Sequence, residues 1–188
     1  MPGYFGALTL VLFLGMVLTC AAMLRRRGIE AINFGKLDKT DFLIPPFVLF
    51  YFYLVFASAF GLSTLGELEF DQSEIIDRVG VGFCLTGLGL IVWSLVSFGQ
   101  SFRVGIDTET PDKLVTTGVF AFSRNPIYVG FTLVLLGEFL IFLNWIMLVY
   151  LGAAIWLFHR QVLKEDDYLK QHYGEAHLEY SKQVRRYL

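Results

Sequence analysis

Four stretches of this 188-residue chain are each long enough, and nearly enough free of charge, to cross a lipid bilayer. A helix needs about 20 predominantly apolar residues to span a hydrocarbon core of roughly 30 Å. The stretches are residues 4–24, about 42–62, about 75–98, and a longer block at 127–158. That last block has a polar break at Asn144 with Trp145 beside it, so it reads as two helices folded into a hairpin. The second arm is short and need not cross fully, and Trp145 suits either an interfacial turn or a buried kink. A hydrophobic content of 55% and a mean hydropathy of +0.59 exceed what a soluble core of this size holds. The fold expected is an all-α integral membrane protein, residues 1–188 forming one membrane domain with about five transmembrane helices.

The basic residues set an orientation, because retained cytoplasmic loops are enriched in Lys and Arg. Residues 25–41 carry five of them, residues 99–125 carry Arg103, Lys113 and Arg124, and the tail from His159 carries six. Residues 63–77 hold Glu67, Glu69, Asp71, Glu74 and Asp77 without a Lys or Arg, which places that loop outside. No positive charge precedes the first stretch and Arg25, Arg26 and Arg27 follow it directly, the flank of a retained span with its N-terminus outside rather than of a cleaved leader. Five crossings then leave the C-terminus in the cytoplasm. The net charge is only -2 and no basic face appears, which argues against nucleic acid as a partner. Cys20 and Cys84 both lie in apolar stretches and read as small core residues, not as a disulfide framework or a metal cluster.

Chemistry is expected on the cytoplasmic side. In Ser123-Arg124-Asn125-Pro126-Ile127-Tyr128-Val129-Gly130 a helix start is legible, since Asn is a good N-cap and Pro is preferred at the first helical position. Its free N–H groups and dipole make a local anion site, to which Arg124 adds a charge, with room for a ligand at Gly130 and a hydroxyl at Tyr128. The plainer reading is a well-capped membrane helix with Arg124 among the headgroups. In the tail, Val162, Leu169, Tyr173, Ala176, Tyr180 and Val184 share one helical face, with a bend expected at Gly174. Glu165 and Asp166 fall on that face and Asp167 points away. Acids on a docking face are costly unless they meet a cation, a ligand or several donors; an ion pair with Arg160, or of Asp166 with Lys170, is the structural alternative.

Glu138 lies ten residues past Tyr128, roughly 15 Å deeper at 1.5 Å per residue. An ionisable group there faces protein or a wet cavity, and either a protonated or hydrogen-bonded packing role or a place on a substrate path accounts for it. Gly80, Gly82, Gly87 and Gly89 suit close helix packing and are not a dinucleotide loop, because no strand precedes them.

The segment Gly118-Val-Phe-Ala-Phe-Ser-Arg-Asn-Pro-Ile-Tyr-Val-Gly130, with Glu165-Asp166, Tyr173-Gly174 and Tyr180 downstream, resembles the isoprenylcysteine carboxyl methyltransferase and phospholipid methyltransferase superfamily. The resemblance covers roughly residues 99–188, and makes residues 1–98 three N-terminal transmembrane helices and 99–188 a cofactor-binding catalytic half. It implies a site for S-adenosylmethionine at the cytoplasmic membrane face, with a lipophilic substrate entering from the bilayer. Carried over by position, the cofactor residues are Arg124, Asn125, Tyr128, Gly130, Glu165 and Asp166. Similarity around 102–106 and 114–118 adds Arg103, and Arg103, Tyr128 and Glu165 are the implied catalytic residues. Asn125 and Asp166 stand where the eukaryotic enzymes more often carry His and Glu, which bears on the substrate more than on the cofactor. No metal is implied. Two rivals are an NADPH-dependent membrane sterol-type reductase, against which Ile127 before Tyr128 and Phe131 after Gly130 speak, and a non-catalytic membrane scaffold.

Overall fold

A computed structural model describes residues 2–26, 44–62, 73–98 and 114–188, and all its regular structure is helical. In chain order the helices are α1 (Pro2–Arg26), α2 (Ile44–Ala59), α3 (Glu74–Phe98), α4 (Pro126–Ile141), α5 (Trp145–Tyr173) and α6 (Glu175–Gln183), with a 3-10 turn at Gly118–Ala121 before α4. Two of them, α3 and α5, are long and apolar enough to cross a membrane; the apolar parts of α1, α2 and α4 are shorter. The outside of the bundle is rich in large apolar side chains, Leu49, Tyr53, Val96, Val149 and Trp156 all being more than 60% exposed. Soluble proteins rarely show contiguous apolar surface on this scale, whereas hydrocarbon solvates it without cost.

The closest packing is between α3 and α4, which run antiparallel, and glycine makes it possible. A Cβ placed on Gly87 would stand 2.6 Å from the Gly130 carbonyl oxygen, and one on Gly137 would stand 2.5 Å from that of Gly80. Seven residues, two helical turns, separate the glycines on each helix, so both contacts fall on one seam and the backbones touch directly. Half of the expected glycine cluster therefore packs. Gly82 and Gly89 face outward with nothing near them, because an offset of two residues turns a helix by more than half a revolution. α1 lies against α2, α3 and α4, and the core between them contains Leu10, Tyr51, Leu54, Val55, Cys84, Ile141 and Phe142. The expected core position of Cys84 holds; the side chain of Cys20 lies outside the described residues.

The hairpin break falls where the polar residue predicts. α4 ends at Ile141, and Asn144 starts α5 by accepting from the Met147 N–H at 2.9 Å while its amide donates to the Phe142 carbonyl at 3.0 Å. Trp145 is exposed beside the turn, so it is not a buried kink residue. The second arm is not short: α5 runs unbroken for 29 residues from the apolar stretch into the charged tail. The bend at Gly174 is present, with a φ of 51° that disfavours any side chain. It also shifts the helical phase, so that His177 is buried and Ala176 exposed, against the expectation of one continuous face.

Glu138 is wholly buried where α1, α2, α3 and α4 meet, and neither carboxyl oxygen has a hydrogen-bond partner among the described residues; the same holds for the Tyr51 hydroxyl. Gly6 leaves the space the carboxyl fills, since a Cβ there would stand 2.6 Å from Glu138 Oε2. Of the two sequence readings this favours packing over a substrate path. An ionised, unpaired carboxylate in such a place costs far more than a neutral group of the same shape. Glu138→Gln is therefore expected to elute as a single folded species with an undiminished melting temperature, and Glu138→Lys to be lost to aggregation, as size-exclusion chromatography in detergent will show.

Candidate active site

The site is assembled where the start of α4 meets the charged half of α5. The 3-10 turn leads into it: Val119 N–H donates to Ser97 Oγ at 3.3 Å, and the Tyr180 hydroxyl of α6 donates to the Phe120 carbonyl at 2.6 Å. Ser123, fully buried, accepts from the Asn125 N–H at 3.2 Å and bends the chain into Pro126, the first residue of α4. Asn125 occupies the N-cap position as expected, but its side chain makes no cap bond. Its amide instead donates to the Arg186 carbonyl at 3.0 Å, and the Arg124 N–H donates to the Arg185 carbonyl at 2.9 Å. The end of the tail thus takes two donors that flank the helix start.

Both tail acids face the start of α4, and they do different things. Tyr128 donates its hydroxyl to Glu165 Oε1 at 2.6 Å, and Gln161, one turn earlier on α5, donates to the same oxygen at 3.2 Å. Asp166, 4% exposed, accepts from Arg124 Nη1 at 2.8 Å on one oxygen and from Arg186 Nη2 at 2.9 Å on the other. Lys170 Nζ and His177 Nε2 stand 3.4 and 3.3 Å from it. The Lys170 pairing is the structural alternative read from the sequence, and it is the longest of the four. Asp167 points out, as expected.

These surroundings push the two carboxyls in opposite directions, both being past the apolar stretch of α5. Burial pushes Glu165 above the ordinary carboxyl range, and its two neutral hydrogen bonds only partly offset that. Burial acts on Asp166 in the same sense, but the Arg186 hydrogen bond and the charges of Arg124, Lys170 and Arg186 outweigh it and leave the group below the ordinary range. Asp166 therefore contributes stability that is fully present above the unfolded carboxyl pKa and is lost as pH falls through its lower folded value. Burial likewise lowers His177, against the pull of Asp166. Asp166→Asn leaves three cations around a neutral amide, at an expected cost of about 3 kcal/mol. Differential scanning fluorimetry at neutral pH should show this as a melting temperature lower by roughly 10 °C.

Toward the hydrocarbon the Tyr128 ring continues into an aromatic group: Phe158 lies 5.7 Å from it, Phe131 5.8 Å from Phe158, and Phe13 of α1 5.4 Å from Phe131. Gly130 is placed differently from expectation. A Cβ there would stand 2.6 Å from Ile91 Cγ1, so its missing side chain makes room for α3 and not for a ligand. Arg103 lies outside the described residues. The structure brings Arg124, Asn125, Tyr128, Glu165 and Asp166 together, and sets beside them Gln161, His177 and Arg186, which the sequence reading did not name. Gln161 had a readable signal, the one-turn spacing to Glu165; the others reach the site only through the fold.

The family model described as phospholipid methyltransferase matches residues 76–176, more than half of the chain. The chain belongs to the phospholipid methyltransferase family. Among curated relatives of this family member, protein-S-isoprenylcysteine O-methyltransferase B of Arabidopsis thaliana is 30% identical over 130 residues, covering 65% of this chain and 66% of the relative. The protein-S-isoprenylcysteine O-methyltransferase of Schizosaccharomyces pombe is 32% identical over 114 residues, 59% of this chain and 48% of that one. The human protein of the same name is 32% identical over 128 residues, 66% of this chain and 45% of that one. The chain thus spans about half to two thirds of the length of these relatives. No solved structure matches it.

Proposed function

We propose that this chain is an integral membrane methyltransferase that moves a methyl group from S-adenosylmethionine to a lipophilic acceptor at the cytoplasmic membrane face. The observation that carries the reading is the contrast between the two acids. Asp166 is neutralised by three cations, whereas Glu165 meets, among the described residues, only the neutral donors Tyr128 and Gln161. A desolvated carboxylate with no cation of its own is a site for one, and the faces of Tyr128, Phe131 and Phe158 beside it favour the same charge. The residues therefore fit a ligand carrying an ammonium and a sulfonium.

S-adenosylmethionine supplies an electrophilic methyl on sulfur, which leaves as a neutral thioether. Glu165 takes the cationic end, and Tyr128 fixes the Glu165 rotamer. Asp166 aligns Arg124 at the start of α4, so that Arg124, with Arg103 from the preceding loop, meets an anionic end. An acceptor carboxylate is already ionised at pH 7 and needs no base; an amine acceptor gives up one proton, for which Tyr128, His159 and Glu165 are the candidates. The acceptor's apolar part lies toward Phe13, Phe131 and Phe158. The five-crossing topology, N-terminus outside, belongs to the same proposal and is supported by the distribution of Lys and Arg. The relatives lend no support to the reductase or scaffold readings. Calorimetric titration of the purified protein with S-adenosylmethionine and with NADPH decides between cofactors: heat from NADPH alone overturns the proposal. Radiolabelled methyl transfer to a farnesylated cysteine and to phosphatidylethanolamine then separates the two acceptor classes.

A further inference from the structure

Residues 184–187 follow α6, Val184 being extended at φ -119° and ψ 132°, and run back across the start of α4 through bends at Val184 and Arg186. The Arg185 and Arg186 carbonyls accept from Arg124 and Asn125, the Arg186 guanidinium donates to Asp166, and the Tyr187 hydroxyl lies 2.8 Å from His159 Nδ1. His159 and Asp166 are seven residues apart on α5, roughly 10 Å, and Glu165 lies within that interval. Tyr187 is also near enough to Tyr128 to interact with it electrostatically. The segment is therefore tied at both ends, to the start of α4 and to the part of α5 that carries Glu165.

We propose that residues 184–187 are a strap that closes the cofactor site, and that Arg186 is the positioning residue that latches it through Asp166. Polar bonds do the latching, for Val184 and Tyr187 are only partly buried. Three of the residues that the strap holds, Arg124, Asn125 and Asp166, are ones that the family resemblance gives to the cofactor. The closed arrangement carries a penalty, since Arg124 Nε and Arg186 Nε are buried with no hydrogen-bond partner among the described residues, and an unmet buried donor forfeits its hydration without return. A latch made of a few polar bonds over unmet donors is poised to open, and a strap beside Glu165 must lift to let a ligand in or out. The inference rests on Glu165 as the cation-binding carboxylate.

Stopped-flow binding of S-adenosylmethionine, without acceptor, to the full chain in detergent tests it. Arg186→Gln is expected to raise association and dissociation rates together, each about tenfold, with Arg186→Lys falling between it and wild type. A residue that only stabilised the fold would lower the melting temperature and leave the association rate alone. Wild type that binds, with an Arg186→Gln association rate within twofold of it, overturns the strap. If Arg186→Gln does not elute as a folded species, Arg186→Lys and Tyr187→Phe are judged by the same criterion. Absence of binding by wild type overturns the cofactor reading itself, and the strap with it.

Discussion

Glu165→Gln is expected to lower the affinity for S-adenosylmethionine by about 10- to 100-fold while leaving the fold intact. The change keeps the size of the side chain and an oxygen that can accept from the Tyr128 hydroxyl, so the link between α4 and α5 survives. What it removes is a charge that no other described residue at the site supplies, because Asp166 is committed to Arg124, Lys170 and Arg186. A hydrogen bond to a charged group is worth about 1.5–3 kcal/mol, which is the factor given. Removing a desolvated carboxylate also relieves the burial that raises its pKa, so the melting temperature of the unliganded protein should hold or rise. Titration calorimetry and a melting curve on one preparation separate these effects. An affinity within threefold of wild type would take the cationic end of the ligand away from Glu165.

Gly137→Val should do the opposite, destroying the fold before any question of ligand arises. A Cβ at Gly137 would lie 2.5 Å from the Gly80 carbonyl oxygen and 2.8 Å from the Cys84 nitrogen, both of them backbone atoms on α3 that cannot rotate away. The helices must separate along the seam, which loosens Gly87 against Gly130 and with it the start of α4. Overpacking costs about 1–3 kcal/mol where side chains can adjust, and more is expected where main chain meets main chain. Gly89→Val is the matched control, since Gly89 faces away from every neighbour among the described residues. In detergent, the Gly89 variant should elute as wild type does and the Gly137 variant should run in the void. Equal behaviour of the two would mean that the seam does not hold the bundle together.

The helix start at Pro126 could be read from the sequence because proline at the first helical position is a local signal that needs no partner. The shared face of Glu165 and Asp166 followed from helical phase, and the split in their roles did not. Phase gives direction, while the cations that neutralise Asp166 come from three places in the chain, one of them, Arg186, brought in by the turn at Gly174 and the segment after α6. Glycine spacing announced close packing, yet only the facing helix decided that Gly80 and Gly87 pack and that Gly82 and Gly89 do not. Gly130 misled for the same reason: an absent side chain looks alike whether a ligand or another helix fills the gap. The continuity of α5 past Phe158 was hidden by a change of composition, which marks where hydrocarbon ends and not where the helix does.

That continuity has a mechanical result. A rod of 29 residues is about 43 Å long and carries Trp145 near one end and Lys170 near the other. Any force the lipids exert on its greasy length must also turn the end that bears the two acids, because no hinge intervenes. On the proposed topology, the height and tilt of Glu165 relative to the headgroups therefore respond to the thickness of the surrounding bilayer as well as to the packing of α5.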